Sequence, residues 1–402
     1  MNIFNRTFKL RNPIQYYPWG SRTAIPELLG IPNPEAKPMA ELWMGAHPRA
    51  PSQVLIDGKW ISFLDLLKTS ATPVLGQDVA ARFSNQLPFL FKVLAAAEPL
   101  SIQVHPSKEQ AMEGFERENR LGIPLDAPER NYRDDNHKPE MLCALTPFEA
   151  LKGFRSIDEI VQLMDELGDP GLGERLGQLK ACPDATGLKA FFTSIMGMHM
   201  GEKEQVAGRV VELAATRTRE RREFYWIGEL GRKYPGDIGV LSPLLLNLVS
   251  LQPGEAIFLP AGELHAYLRG AGLEIMANSD NVLRGGLTAK HVDVDELLRI
   301  TNFTPRLPSI IMPEEGERSG VYHCPAQEFM LCRLDINGLY HSGGAGSVEI
   351  LLCLEGKGKV CQGASEDTAV SFAKGDALLV PSMAHPYRVS GHAVLWKASV
   401  PS

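Results

Sequence analysis

Long apolar runs are missing from this 402-residue chain. The most apolar stretches, LPFLFKVLAAA and SPLLLNLVSL, are too short to cross a bilayer. The opening MNIFNRTFKLRNPIQYY has no apolar core of signal-peptide length and no small-residue cleavage pattern. A cytoplasmic location with no membrane partner is therefore expected. Close cysteine pairs are missing too. The six cysteines (Cys143, Cys182, Cys324, Cys332, Cys353 and Cys361) are scattered, and free thiols are expected of them in a reducing compartment. No Lys/Arg-rich run marks a nucleic-acid footprint. The net charge of −7 argues against a general polyanion-binding surface but leaves room for a local phosphate pocket. A Walker-type phosphate loop, a dinucleotide fingerprint and a nucleophile elbow are all absent.

What is present suits a soluble globular protein, with 44% hydrophobic and 22% charged residues. The length predicts two or three domains. Residues 1–155 are rich in Pro, Gly, aromatics and short apolar runs, the language of a β-domain with irregular loops. At Ser156 the language changes. SIDEIVQLMDEL sets Ser156 and Glu159 in capping-box spacing, with Ile157, Ile160, Val161, Met164 and Leu167 on one helical face. Helical patterning continues over 156–250 and ends in LSPLLLNLVSL, where Ser242 is read as an N-cap and Pro243 as the first helical residue.

Strand patterning then returns with an internal echo. GEAIFLPAGELHAY from Gly254 and GDALLVPSMAHPY from Gly375 share Gly, an acid, Ala, three apolar residues, Pro, a turn, His, and Tyr two residues on. This unit resembles the second motif of the cupins, small double-sheet jelly rolls that carry metal on strand side chains. The expected fold is mainly β with a helical insertion: two cupin-like jelly-roll β-domains plus an α-helical domain. Residues 1–155 and 251–305 form the catalytic cupin domain, 156–250 the helical insertion, and 306–402 a C-terminal cupin-like domain without metal. In the last, His385 reads as a relic, because VEILLCLEGKGKV upstream offers it no Gln-x-His companion.

In SIQVHP, period-2 alternation puts Gln103 and His105 on one face of a strand. From this stretch alone a solvated outer face is the preferred reading, and half of a metal site is the alternative. Partners exist if the metal reading holds. His265 stands in the first echo, and Glu140 ends NYRDDNHKPE, a charged segment that enters an apolar strand. Taken singly, His265 fits a structural histidine and Glu140 a salt-bridge partner. Together, one carboxylate, two imidazoles and an amide oxygen suit a zinc site open to water or substrate. Glu274, Asp280, Arg284 and Lys290 follow within Gly272–Val294, with Gly285 and Gly286 allowing close approach of a ligand to the backbone. That segment is either a charged loop or a holder for an anion such as a sugar phosphate.

These segments together resemble the type I mannose-6-phosphate isomerases (phosphomannose isomerases). YRDDNHKPE matches the family's Tyr-x-Asp-x-Asn-His-Lys-Pro-Glu in full. HAYLRGAGLEIMANSDNVLRGGLTAK matches its longer pattern with two departures, Gly285 for Ala and Ala289 for Pro. YYPWGS, AELWMGAHPRAPS and LPFLFKVLAAAEPLSIQVHPS look like the remaining blocks, so the resemblance runs from about residue 12 to 300. It implies one zinc held by Gln103, His105, Glu140 and His265, and a phosphate pocket with Ser101, Lys92 and Lys290. It makes Arg284 catalytic and places Trp19, Glu41, His47, Lys138, Glu274 and Asp280 near the sugar. The implied reaction interconverts mannose 6-phosphate and fructose 6-phosphate through a cis-enediol(ate). Glu274, Lys138 and His47 are the candidate bases, with Glu274 preferred and Lys138 assisting. A monomer is the family-based expectation. An iron-dependent cupin dioxygenase and a non-catalytic sugar sensor are the rival readings. Gln103 as an added ligand and the cationic loop weigh against the dioxygenase.

Overall fold

The computed structural model describes residues 3–344, 346–362 and 369–401; among these, twenty strands form two ten-stranded sheets. The first sheet turns on the strand His265–Ala277. Its opening half pairs with Phe148–Phe154 and, at His265, with Gln103 of Ile102–Val104. Its closing half pairs with Phe89–Ala96 and Glu140–Ala144. Gly270 stands between the halves at φ 131°, where a Cβ would lie 2.6 Å from the Phe148 ring. Only glycine passes there, and the strand changes partners at that point. Leu283–Gly286 adds to Ile102–Val104, and Ala256–Leu259 adds to Glu140–Ala144. Segments far apart in sequence thus lie side by side.

The second sheet runs from Glu314–Glu315 through Met330–His341, Tyr387–Ser399 and Glu349–Gln362 to Ala377–Val380, then continues into Phe8–Arg11, Gln53–Ile56 and Lys59–Ser62. The boundary expected at residue 306 therefore does not enclose this sheet. Phe8 pairs with Leu379 and Leu10 with Ala377, joining the start of the chain to its end. Without that pairing, Ala377–Val380 would leave unpaired backbone groups beside fully apolar neighbours. One apolar cluster containing Phe8, Phe91, Leu273, Ile350, Leu379 and Trp396 runs through both sheets. Each such buried side chain contributes about 1.5–3 kcal/mol, so the sheets share one core. The echo is structural as well. Ala256–Leu259 leads into His265–Ala277 and Ala377–Val380 into Tyr387–Ser399, after turns at Gly254 (φ 91°) and Gly375 (φ 88°).

The helices Ile157–Leu167, Gly173–Ala181, Ala185–Met196, Met200–Ala215 and Arg222–Lys233 fill the middle block. Both halves of the Ser156/Glu159 capping box form. The buried faces of these helices join Ile102, Val104, Leu264 and Leu283 in one cluster, backing the strands that carry Gln103, His265 and Arg284. The end of the block departs from expectation. Only Ser242–Leu245 is helical; Leu241 occupies the N-cap position, Ser242 makes no cap hydrogen bond, and Leu246–Leu251 is a strand. The free edge of Phe148–Phe154 captures this leucine-rich stretch, overriding its helical style. Asn247 secures the register, its amide donating to the carbonyls of Lys152, Gly153, Phe154 and Arg306. No helix among the described residues is long and apolar enough to cross a membrane.

Candidate active site

His105 follows the strand Ile102–Val104, Glu140 opens Glu140–Ala144, and His265 opens His265–Ala277. The sheet brings one ligand atom from each within 4.8 Å of the others. All three residues are buried. His105 Nε2 lies 3.3 Å from one Glu140 oxygen and His265 Nε2 3.6 Å from the other. Each ring is oriented from behind. His105 Nδ1 is 2.7 Å from the Asn281 carbonyl, and His265 Nδ1 is 2.9 Å from the Glu263 carbonyl. A carbonyl only accepts, so each Nδ1 carries the proton and each Nε2 turns a lone pair inward.

The charge states suit a cation. Burial pushes both imidazoles toward the neutral form against the pull of Glu140, His265 to about 4. Burial also raises the Glu140 carboxyl, but the Lys138 ammonium 2.9 Å away leads the interactions that outweigh it and hold Glu140 well below its usual range. The wholly buried His105 Nε2 has no aligned hydrogen-bond partner, which costs about 1–3 kcal/mol unless something occupies the space. Gln103 lines the same inner cavity of about 60 Å³ as Glu140 and His265. Its register pairing with His265 puts the two side chains on one face. Two neutral nitrogens, a carboxylate and an amide around an orphaned acceptor fit zinc in an open site.

A cleft of about 820 Å³ shares Glu41, Lys92, Gln103 and Lys138 with the inner cavity. Arg133, Arg284 and Lys290 line it, and none of them has a carboxylate partner among the described residues. Arg284 is pushed below its ordinary value by burial and then by Arg133; Lys290 by burial and then by Arg284, Arg133 and Arg49. Three mutually repelling cations facing one space make an anion site. Lys92 is not one of them. Its ammonium is buried 2.9 Å from Glu274 and 3.8 Å from Glu41, and these carboxylates hold it above its ordinary value despite burial. Lys92 lines the cleft as well and neutralises two acids beside the candidate metal centre.

A family model, phosphomannose isomerase type I catalytic domain, matches residues 7–157. The mannose-6-phosphate isomerase of Salmonella typhimurium is 42% identical over 387 residues, covering 95% of this chain and 97% of that protein. The Escherichia coli enzyme is 41% identical over 392 residues, covering 96% and 98%. This chain belongs to the type I phosphomannose isomerase family. The crystal structure of the Salmonella enzyme bound to fructose 6-phosphate and zinc matches with a TM-score of 0.89 at 40% identity, over 99% of this chain and 100% of that one.

The other residues singled out by the family pattern also reach the cleft. Ser101 and Trp19 line it. Glu41 accepts a hydrogen bond from the Trp43 ring at 2.6 Å. Lys138 contacts Glu140 at 2.9 Å, and His47 and Arg49 each lie 3.5 Å from Asp280. Burial raises the Asp280 carboxyl, but His47, Arg49 and Lys138 bring it below its ordinary value. Gly285, a departure from the phosphomannose isomerase pattern, packs against Ile102 and Leu264; a Cβ there would lie 3.1 and 3.2 Å from their methyls. Its backbone therefore sits against the core.

Three site residues carry no role in the sequence reading. Arg133 follows the fully buried Tyr132, so alternation turns it outward into the cleft. Tyr267, noted only in the echo, is buried beside Glu274 and Glu140, and burial followed by these charges drives its phenol well above the ordinary value. Asn281 is completely buried and wires the site together. Its carbonyl orients His105, its amide donates to the carbonyls of Asp134 and Asn136, and its Oδ1 accepts from the Arg133 N–H. Asn281→Ala keeps the carbonyl that orients His105 but removes the side-chain hydrogen bonds that fix its position, and should weaken zinc binding about 10-fold, the low end for an orienting group. Zinc titration against a competing chelator measures it; unchanged affinity would deny the orienting role.

Proposed function

We propose that this chain is a zinc-dependent aldose–ketose isomerase that interconverts D-mannose 6-phosphate and D-fructose 6-phosphate through a cis-enediol(ate). One observation carries the reading: a cleft lined by three cations without carboxylate partners among the described residues shares Gln103 and Lys138 with the inner cavity of the buried His–Glu–His set. The activities of the relatives support it. Arg133, Arg284, Lys290 and Ser101 hold the phosphate. Gln103, His105, Glu140 and His265 hold the zinc, which when bound supplies Lewis-acid stabilisation of charge on substrate oxygens. Trp19, Glu41, His47 and Asp280 bound the sugar, and Arg284 also faces the charge that develops between the two ends. The helical block acts as an insertion into the catalytic cupin-like unit, and the second sheet completes itself with strands from residues 8–62.

Glu274 is the base that carries the proton between the two carbons, with the Lys138 ammonium assisting. Burial raises the Glu274 carboxyl above its ordinary range although Lys92 opposes this, which suits a group that must take and return a proton. A base acts ionised, so activity falls as pH drops through that raised value. The acid limb of kcat/KM is expected above the ordinary glutamate value of about 4.3. Glu274→Gln should remove this limb, lower kcat about 10²–10⁴-fold and stop exchange of the C2 proton with solvent. Normal exchange in the variant would eliminate Glu274 as the base. For the function as a whole, the deciding experiment is a coupled assay for fructose 6-phosphate formed from mannose 6-phosphate by the zinc-loaded protein. A metallated protein without turnover would overturn the proposal.

A further inference from the structure

The segment 131–140 carries Arg133, Lys138 and Glu140 into the site, and most of its polar side chains tie back to the elements around them. Asn131 reaches Asp293, Tyr132 reaches Glu296, and Asp134 accepts from Ser279. His137 points elsewhere. Its Nε2 lies 2.7 Å from the carboxylate of Glu328, the one ion pair among the described residues between 131–140 and 306–402. Burial raises the Glu328 carboxyl, but His137 and backbone N–H groups outweigh it, so the carboxylate is ionised and the imidazole Nε2–H donates.

Glu328 is firmly seated. It lies between the strands Ser319–Tyr322 and Met330–His341, and its other oxygen accepts from the Gln327 N–H. Ala326 and Phe329 on either side are buried in the core shared by the two sheets. The carboxylate cannot follow a shift of His137 without disturbing that core. His137 does not line the cleft; its neighbour Lys138 does, with its ammonium 2.9 Å from Glu140.

We propose that Glu328 is a positioning residue: by holding the His137 ring it sets the backbone from which Lys138 and Glu140 reach the site. The C-terminal block thereby acts on the chemistry without touching the substrate. Lys138 follows His137 directly, and Pro139 after it restricts the Lys138 backbone, so holding His137 limits where Lys138 leaves the chain. A displacement of about 1 Å at such a group costs on the order of 10²-fold in rate. This inference rests on the isomerase reading.

The test uses the zinc-loaded full chain. Glu328→Ala should lower kcat about 10–100-fold with KM for mannose 6-phosphate little changed. His137→Ala should do the same, and the double variant should be no slower than the slower single variant, because one contact is lost once. Glu328→Gln keeps an acceptor for the ring N–H and should recover most of the rate. An unchanged kcat in Glu328→Ala, losses that multiply in the double variant, or a glutamine variant as slow as the alanine variant would overturn the proposal. The ring Nε2–H proton of His137, observed by NMR, should be protected in the wild type and lost in Glu328→Ala. An active wild type without that protected proton overturns the positioning role alone. A wild type that shows it but does not isomerise overturns the isomerase reading, and the positioning role with it.

Discussion

His265→Ala should leave the protein unable to retain zinc and should abolish most of its isomerase activity. His265 supplies an inward-facing Nε2 in its neutral form, held by the Glu263 carbonyl behind it. Alanine at this position leaves His105, Glu140 and Gln103 around a widened gap. A Lewis acid contributes several kcal/mol to such a reaction. At 1.36 kcal/mol per tenfold, its loss lowers kcat by about 10³-fold or more. Metal analysis after dialysis and the fructose 6-phosphate assay read the two consequences separately. A fully metallated, active variant would remove His265 from the site.

Arg284→Ala should separate catalysis from metal binding. The guanidinium stands in the cleft with Arg133 and Lys290 and contributes no zinc ligand. Loss of one donor facing developing charge lowers kcat about 10²–10³-fold. Zinc content should stay at one per chain. The fold should not suffer either, because the substitution removes a partly buried cation and relieves its repulsion with Arg133 and Lys290; burial first and then repulsion depress Arg284 and Lys290. The thermal midpoint is therefore expected to hold or rise. Loss of zinc would assign Arg284 a structural role instead.

The contrast between the two ends of the site explains what sequence reading reaches. The capping box at Ser156 is local: both partners lie within one helical turn, so spacing alone finds it. Gln103 and His105 are similarly found by the period of a strand. The leucine run at 246–251 is not, because its strand state depends on pairing with Phe148–Phe154, about a hundred residues earlier. Lys92 shows the same limit. The family resemblance implies a phosphate contact for it, and only the register of Phe89–Ala96 against His265–Ala277 sets it opposite Glu274.

The sequence by itself determined the residue types at the site, the helical block, the echoed strand–turn–strand units and the family pattern, because these rest on local period and spacing. The tertiary structure alone decided which charges neutralise one another and which face the cleft unpaired. It decided that the first strands complete the last sheet, and that Glu328 reaches His137. Those outcomes follow from long-range strand register and burial, which place carboxylates and cations at distances that no local pattern encodes.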